Sequence, residues 1–258
     1  QLRDEGLAVT SRGSLEMWDV TSSAGGELAV QPVPEDAYWF EVSDDRTLWM
    51  ASRWEGVLEF IRSDTFETIS EWQVYTPTEQ EPEVYVMPML SRDNTLLATA
   101  HDQWVDDTVT STVTLWDVTT RRKLMEFQRP VVTRLTSFSP DNTLLVSGEI
   151  ESITFWDLTT RRLLRTLPVP LYHVWMLKFS PDGTRLAVNG VTDPYTGFDQ
   201  RILIWDLTPG IDQLADPLEI QAFYRNVGAI DFSPDGKFLA ASGLDGVKVF
   251  DVATGELK

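Results

Sequence analysis

Apolar and polar positions along the chain alternate with a period of two in short runs, and turn residues punctuate the runs. Residues 247–252 read Val-Lys-Val-Phe-Asp-Val, which puts Val247 and Val249 on one face of an extended strand and Lys248 and Phe250 on the other. Residues 112–118 and 153–158 alternate in the same way, and 174–179 and 238–242 are short strand-like segments. Between them lie Ser-Pro-Asp-Gly and Thr-Thr-Arg-Arg. In the first string Pro pre-sets φ, Asp bonds nearby backbone, and Gly or Asn tolerates positive φ. The predicted elements are therefore antiparallel strands joined by tight turns.

The pattern repeats. Phe138-Ser-Pro-Asp-Asn142, Phe179-Ser-Pro-Asp-Gly183 and Phe232-Ser-Pro-Asp-Gly236 are near copies, preceded by Val42-Ser-Asp-Asp-Arg46 and Leu90-Ser-Arg-Asp-Asn94. A second string recurs as Trp18-Asp19, Trp116-Asp117, Trp156-Asp157 and Trp205-Asp206, with Phe60-Ile61 and Phe250-Asp251 in equivalent places. From turn Ser to that signature the spacing is 17 residues in three copies and 25 in the two alternate ones, an insertion of 8. Each unit reads as four strands: a before the Ser-Pro-Asp turn, b after it, c ending in the Trp-Asp, and d after Thr-Thr-Arg-Arg. We expect third strands at 58–62, 114–118, 154–158, 203–207 and 248–252.

Four Trp-Asp pairs phased to Ser-Pro-Asp turns resemble the WD-repeat β-propeller family over essentially the whole chain, in a style closer to bacterial members. The Gly-His dipeptide that the family carries before strand a is missing from every copy, and His173 stands too close to Phe179 to replace it. The resemblance implies an all-β propeller of four-stranded antiparallel blades, six or seven in the ring and incomplete in this chain. It divides residues 1–258 into a partial first blade at 6–30 and blades at about 38–75, 84–128, 131–169, 174–223 and 227–258. With no strand a for the first blade and hardly any strand d for the last, we expect the chain to be part of a longer polypeptide or a multi-subunit assembly.

Composition narrows the partners. With 40 acidic against 21 basic residues the net charge is −19, which argues against nucleic acid and anionic membranes as partners. There is no Cys, so disulfides and thiolate metal sites are excluded. No apolar run reaches the ~18 residues of a membrane span. The compartment stays open, with a cytoplasmic setting favoured slightly over secretion.

Antiparallel topology puts all a–b and c–d turns on one face of a propeller and all b–c and d–a connections on the other. The first face is mostly plain and carries Arg121, Arg122, Lys123, Arg161 and Arg162. The second holds the irregular segments 31–37, 76–83, 101–111 and 191–200, which contain ten acids and no Lys or Arg. Loops on a rigid scaffold are where binding concentrates. Acids mixed with aromatics suit a basic protein partner. We therefore expect a non-enzymatic interaction scaffold. The expected binding residues are Trp104, Asp106 and Asp107 on one insertion and Tyr195, Phe198 and Asp199 on the other. Glu149 and Glu151 would form the saddle between them.

Catalytic signals are thin: only His101 and His173 offer imidazoles, and no phosphate loop or nucleophile elbow is present. No cofactor is expected. The alternative is a hydrolase- or lactonase-like propeller, or a Ca²⁺-binding one, acting at the central channel; Asp102, Asp106, Asp107, Asp193 and Asp199 could supply oxygens, at no recognised loop spacing. Trp18, Trp116, Trp156 and Trp205 are assigned to packing, as are Trp49, Trp72 and Trp175. Only Trp104 is expected to face a partner.

Overall fold

The computed structural model describes the chain apart from residues 1–5, 12–13, 20–25, 33–36, 44, 46, 79–84, 107, 194, 196–198, 224–226 and 244–245. For 6–11, 14–19, 26–32, 105, 134 and 222–223 it describes the backbone alone. The strands in chain order are Gly6–Ser11 (β1), Ser14–Asp19 (β2), Gly26–Pro32 (β3), Ala37–Val42 (β4), Leu48–Arg53 (β5), Val57–Arg62 (β6), Thr68–Gln73 (β7), Met87–Leu90 (β8), Leu96–Val105 (β9) and Thr108–Asp117 (β10). They continue as Arg122–Arg129 (β11), Thr133–Phe138 (β12), Leu144–Asp157 (β13), Arg162–Phe179 (β14), Arg185–Val191 (β15), Gln200–Asp206 (β16), Leu218–Phe223 (β17), Ala229–Phe232 (β18), Phe238–Gly243 (β19) and Gly246–Asp251 (β20).

These strands pair antiparallel into a propeller arrangement. β4–β7 form blade I and β8–β11 blade II. The six-stranded sheet β12–β17 holds two more blades. β13 folds back on itself at Glu151, whose φ is 56°, and Leu158 N–H donates to Thr143 C=O at 2.9 Å. It thus supplies strands b and c of blade III. β14 is strand d of blade III and, without a break, strand a of blade IV, which β15–β17 complete. Among the described residues four blades are complete, where six or seven were expected in the ring. The terminal sheets β1–β3 and β18–β20 have three strands each, with one further bridge from Phe250 to Leu257.

The turn strings work as hooks. Asp45, Asp93, Asp141, Asp182 and Asp235 each accept a bond of 2.6–2.8 Å from the Ser hydroxyl two residues earlier. Each also accepts the N–H two residues later at 3.0–3.1 Å. The same Ser oxygens take the N–H that starts strand b at 2.9–3.0 Å. At the fourth turn position Asn94, Asn142, Gly183 and Gly236 have φ of 58–72°, which explains why only Asn and Gly stand in these four turns. Neighbouring hooks interlock. The Asn94 amide helps to lower the pKa of Asp45, and the Asn142 amide that of Asp93. Where Gly replaces Asn, a Cβ on Gly183 would sit 3.4 Å from the Pro140 ring. The Asp of the Trp-Asp pair has a parallel task at the c–d turn: Asp157 accepts the N–H groups of Thr159 and Thr160, both at 2.8 Å.

Blades pack face to face, so their central strands are apolar on both faces, as in Leu186, Ala187 and Val188, all fully buried. The core between blades II and III joins Val113 and Leu115 to Phe138, Leu145 and Trp156. The core between blades III and IV joins Phe155 and Ile153 to Leu186, Leu203 and Trp205. Two expectations are corrected here. Trp175 is not core: the register slips between Val174 and Met176, and the extra residue turns the indole outward, 38% exposed. In blade I the place of the signature Trp belongs to Ile61, not Phe60. Ile61 lies opposite Trp49 as Trp116 lies opposite Leu97.

Candidate functional site

That one-residue offset marks an extra residue in the b–c turn of blade I. Arg53 pairs with Val57, leaving the turn Trp54-Glu55-Gly56. Gly56 has φ 73°, and a Cβ there would lie 2.6 Å from Tyr75 C=O, so both backbone conformation and space demand Gly. The longer turn lifts Trp54 onto Tyr38 and Tyr85, with ring centroids 4.9 and 4.6 Å away, and Tyr38 and Tyr85 are 5.2 Å apart. Tyr38 OH donates to Val86 C=O at 3.1 Å and accepts the Val86 N–H; burial pushes its phenol pKa up, against the bond from that N–H. This aromatic cluster, with Tyr85 half exposed, lies on the b–c and d–a face and was missed from sequence. The spacing gave no sign of it: with Phe60 in the place of the signature Trp the count is 17 as in the other short copies, and only Ile61 in that place makes it 18.

The two predicted insertions behave differently. In blade II the hairpin continues past Ser111 opposite Asp102 through Gln103–Thr110, Trp104–Val109 and Val105–Thr108 pairs, a raised ribbon. Trp104 on it is 57% exposed, and Asp106 at its tip is exposed with φ 47°. Asp102 at its base accepts from Ser111 Oγ and, at 3.1 Å, from Thr133 N–H, tying the ribbon to blade III. In blade IV the ladder ends at Val191–Gln200, and one further bond, Thr192 N–H to Asp199 C=O at 3.0 Å, closes a compact loop. Tyr195 on it is 95% exposed, with its N–H on Asp193 Oδ1 at 2.8 Å. Asp199 is occupied: the Arg201 guanidinium, 3.0 Å away, and the Thr192 hydroxyl hold its carboxyl below the ordinary range. Asp107 and Phe198 lie outside the described residues.

Between the insertions, Glu151 is exposed, but Glu149 is a correction. Only 2% of it is accessible, and both its oxygens are taken by Arg129, Nε to Oε1 at 3.0 Å and Nη2 to Oε2 at 3.1 Å. Ser152 Oγ adds a bond at 3.0 Å. Strand b points this residue into the seam between blades II and III, so it holds the seam together and offers nothing to a partner.

At the other end of the ring, strands a converge on a cavity of about 340 Å³ lined by Glu41, Arg92, Lys178 and Asp231 among others. Arg92 Nη1 crosses it to Pro181 C=O at 3.1 Å. Among the described residues no group of three or more His, Asp or Glu side chains could hold a metal ion. Among the described residues no helix is long and apolar enough to cross a membrane.

Residues 161–206 and 219–251 match the family described as WD domain, G-beta repeat. Each match runs from a strand d to the end of the next strand c. The chain is also similar to the WD repeat-containing protein SL1-17 of Schistosoma mansoni, 29% identical over 153 residues, 57% of this chain and 46% of that protein. The chain thus spans about half the length of the curated relative it matches. WD-repeat proteins generally act as non-catalytic scaffolds for protein interaction. The phased turns, the blades and both matches agree on WD repeats, which the family model recognises at 161–206 and 219–251.

Proposed function

We propose that this chain is an interaction scaffold whose b–c and d–a face receives a basic protein partner. What supports the reading is the exposure of Trp104 and Tyr195, on two b–c connections that antiparallel topology places on the same face. Large apolar rings left in water on raised loops are the kind of anchor that interfaces bury. The partner docks in the saddle over Glu151, between the ribbon with Trp104 and Asp106 and the loop with Tyr195, and not over the channel. Asp107, Phe198 and Asp199 belong to the same two insertions. The acidity of the face steers encounter. Association should slow as salt rises, because screening acts over about 8 Å at physiological ionic strength.

The test is capture of partners from solution by the intact chain and by variants shortened at 103–110 or at 193–198. Removing either loop should leave unfolding within about 0.6 kcal/mol of the parent, since loop closure depends weakly on length, and should abolish capture. Capture that survives both deletions, or a binding rate indifferent to salt, overturns the reading.

A further inference from the structure

The seam between blades I and II contains a cavity of about 330 Å³, the lower end of the range for small-ligand sites. Its identity follows from the repeat. In the next seam, Phe127 stacks on Trp156 at 3.8 Å, and two residues later Arg129 enters the gap between blades. There it meets Glu149 and, at 3.4 Å, Thr166 Oγ1. In the first seam Trp72 meets Trp116 at 5.3 Å, and two residues later stands Val74. Strand register makes the remaining walls equivalent as well. His101 holds the strand-b position of Glu149. Thr114 and Glu126 are paired as Thr154 and Thr166 are. Val74, His101, Thr114, Trp116 and Glu126 all line the cavity. The empty volume is therefore the one that an arginine side chain fills one blade later.

The lining suits the same group. Tyr75 and His101 have ring centroids 4.3 Å apart and give aromatic surface along one wall. The Glu126 carboxylate stands where Thr166 stands in the other seam, held at 2.7 Å by Lys123 at the exposed edge. A guanidinium is planar, stacks on aromatic faces and bonds carboxylates through two N–H groups at once; a compact ammonium does neither as well. The chain's net charge of −19 favours a cationic visitor.

We propose that the seam between blades I and II is a socket for an arginine side chain supplied by a partner protein. It is separate from the saddle, and a probe can test it without any natural partner. The probe is N-acetyl-Gly-Arg-Gly-amide, titrated against the intact chain at low salt while the Trp116 indole N–H is followed by NMR. Saturable movement of that signal is expected, with a dissociation constant in the millimolar range or tighter, and none with the citrulline peptide, which has the shape without the charge. Val74→Arg, which supplies the missing side chain from within, should abolish binding. Glu126→Gln, an exposed change that leaves folding intact, should weaken it about tenfold. His101→Glu, which copies Glu149, should tighten it. No saturable shift in the parent, equal binding of the citrulline peptide, or indifference to both Glu126→Gln and His101→Glu overturns the proposal.

Discussion

Two consecutive blade seams use the same repeat positions and reach opposite solutions. Between blades II and III, Arg129 and Glu149 fill the gap, and Phe127 lies flat on Trp156 with an interplanar angle of 13°. Between blades I and II, Val74 and His101 occupy those positions, Trp72 and Trp116 meet edge to face at 74°, and a cavity remains. The fold tolerates both because the hooks at the a–b turns join the two seams in the same way. The Asn94 amide lowers the pKa of Asp45 across the first, and the Asn142 amide that of Asp93 across the second. A seam is thus closed at its turn end by a conserved geometry and left free to vary farther out. The variable part is where binding can be added without changing the scaffold.

The comparison breaks most directly at Arg129. Arg129→Ala leaves the Glu149 carboxylate buried without its cation and should cost about 3–5 kcal/mol in a urea titration. Val74→Ala, at the matching position, should cost under about 1 kcal/mol. Equal costs would mean that the two seams are energetically alike. The indoles come next. Trp156→Ala removes a fully packed ring and should cost about 3–5 kcal/mol, with Trp116→Ala near the bottom of that range because one side of the ring borders the cavity. A change below about 1 kcal/mol at Trp156 would show that it is not core.

The hooks should be smaller and equal between seams. Asp45→Ala and Asp93→Ala each remove bonds to an ionised carboxylate, for a loss of about 1.5–3 kcal/mol by thermal or chemical unfolding. A twofold disparity would show that one hook carries more of the ring. Acid offers the gentlest probe. Burial works against ionisation of Asp45 and Asp93, but the Ser and Thr donors and the neighbouring Asn outweigh it and lower both pKa values to about 2. These groups bind fewer protons folded than unfolded, so their contribution is complete above the unfolded value near 3.8 and is lost as pH falls toward 2. Amide exchange in strands β8 and β12 should accelerate together over that window. Acceleration in one strand alone would separate the seams that the hooks unite.

How far the sequence reached depended on what kind of rule was at stake. Ser-Pro-Asp-Gly and Trp-Asp are local devices whose partners lie within five residues, so the strands they bound were legible: residues 58–62, 114–117, 154–157, 203–206 and 248–251 are strand c throughout. Trp104 and Tyr195 were legible as exposed because they stand in insertions that the ladder does not need. Glu149 was misread because its partner, Arg129, is 20 residues away on another blade, and no local pattern announces a buried carboxylate. Trp175 was misread because alternation assumes an unbroken register, and the slip beside it moves the ring to the other side. The cluster of Tyr38, Trp54 and Tyr85 escaped because aligning Phe60 with the signature Trp hid the extra residue in the hairpin. The blade number divides the same way: six signatures mark six blades, but a signature does not show that its blade has all four strands, and only four of the described blades are complete.

The unbroken run of β14 sets blades III and IV apart from their neighbours. Elsewhere a connection outside the strands separates one blade from the next, and each blade can in principle open by itself at the expense of its interfaces. Here a single extended segment from Arg162 to Phe179 serves both blades, so pulling the outer strand from one disturbs the inner strand of the other. The pair should behave as one cooperative unit, the last to exchange its amides and the first region to survive limited proteolysis intact. Fragments cut between residues 169 and 174 would then lose two blades' worth of order for a single broken peptide bond, and a stable half of this protein would have to keep 133–223 whole.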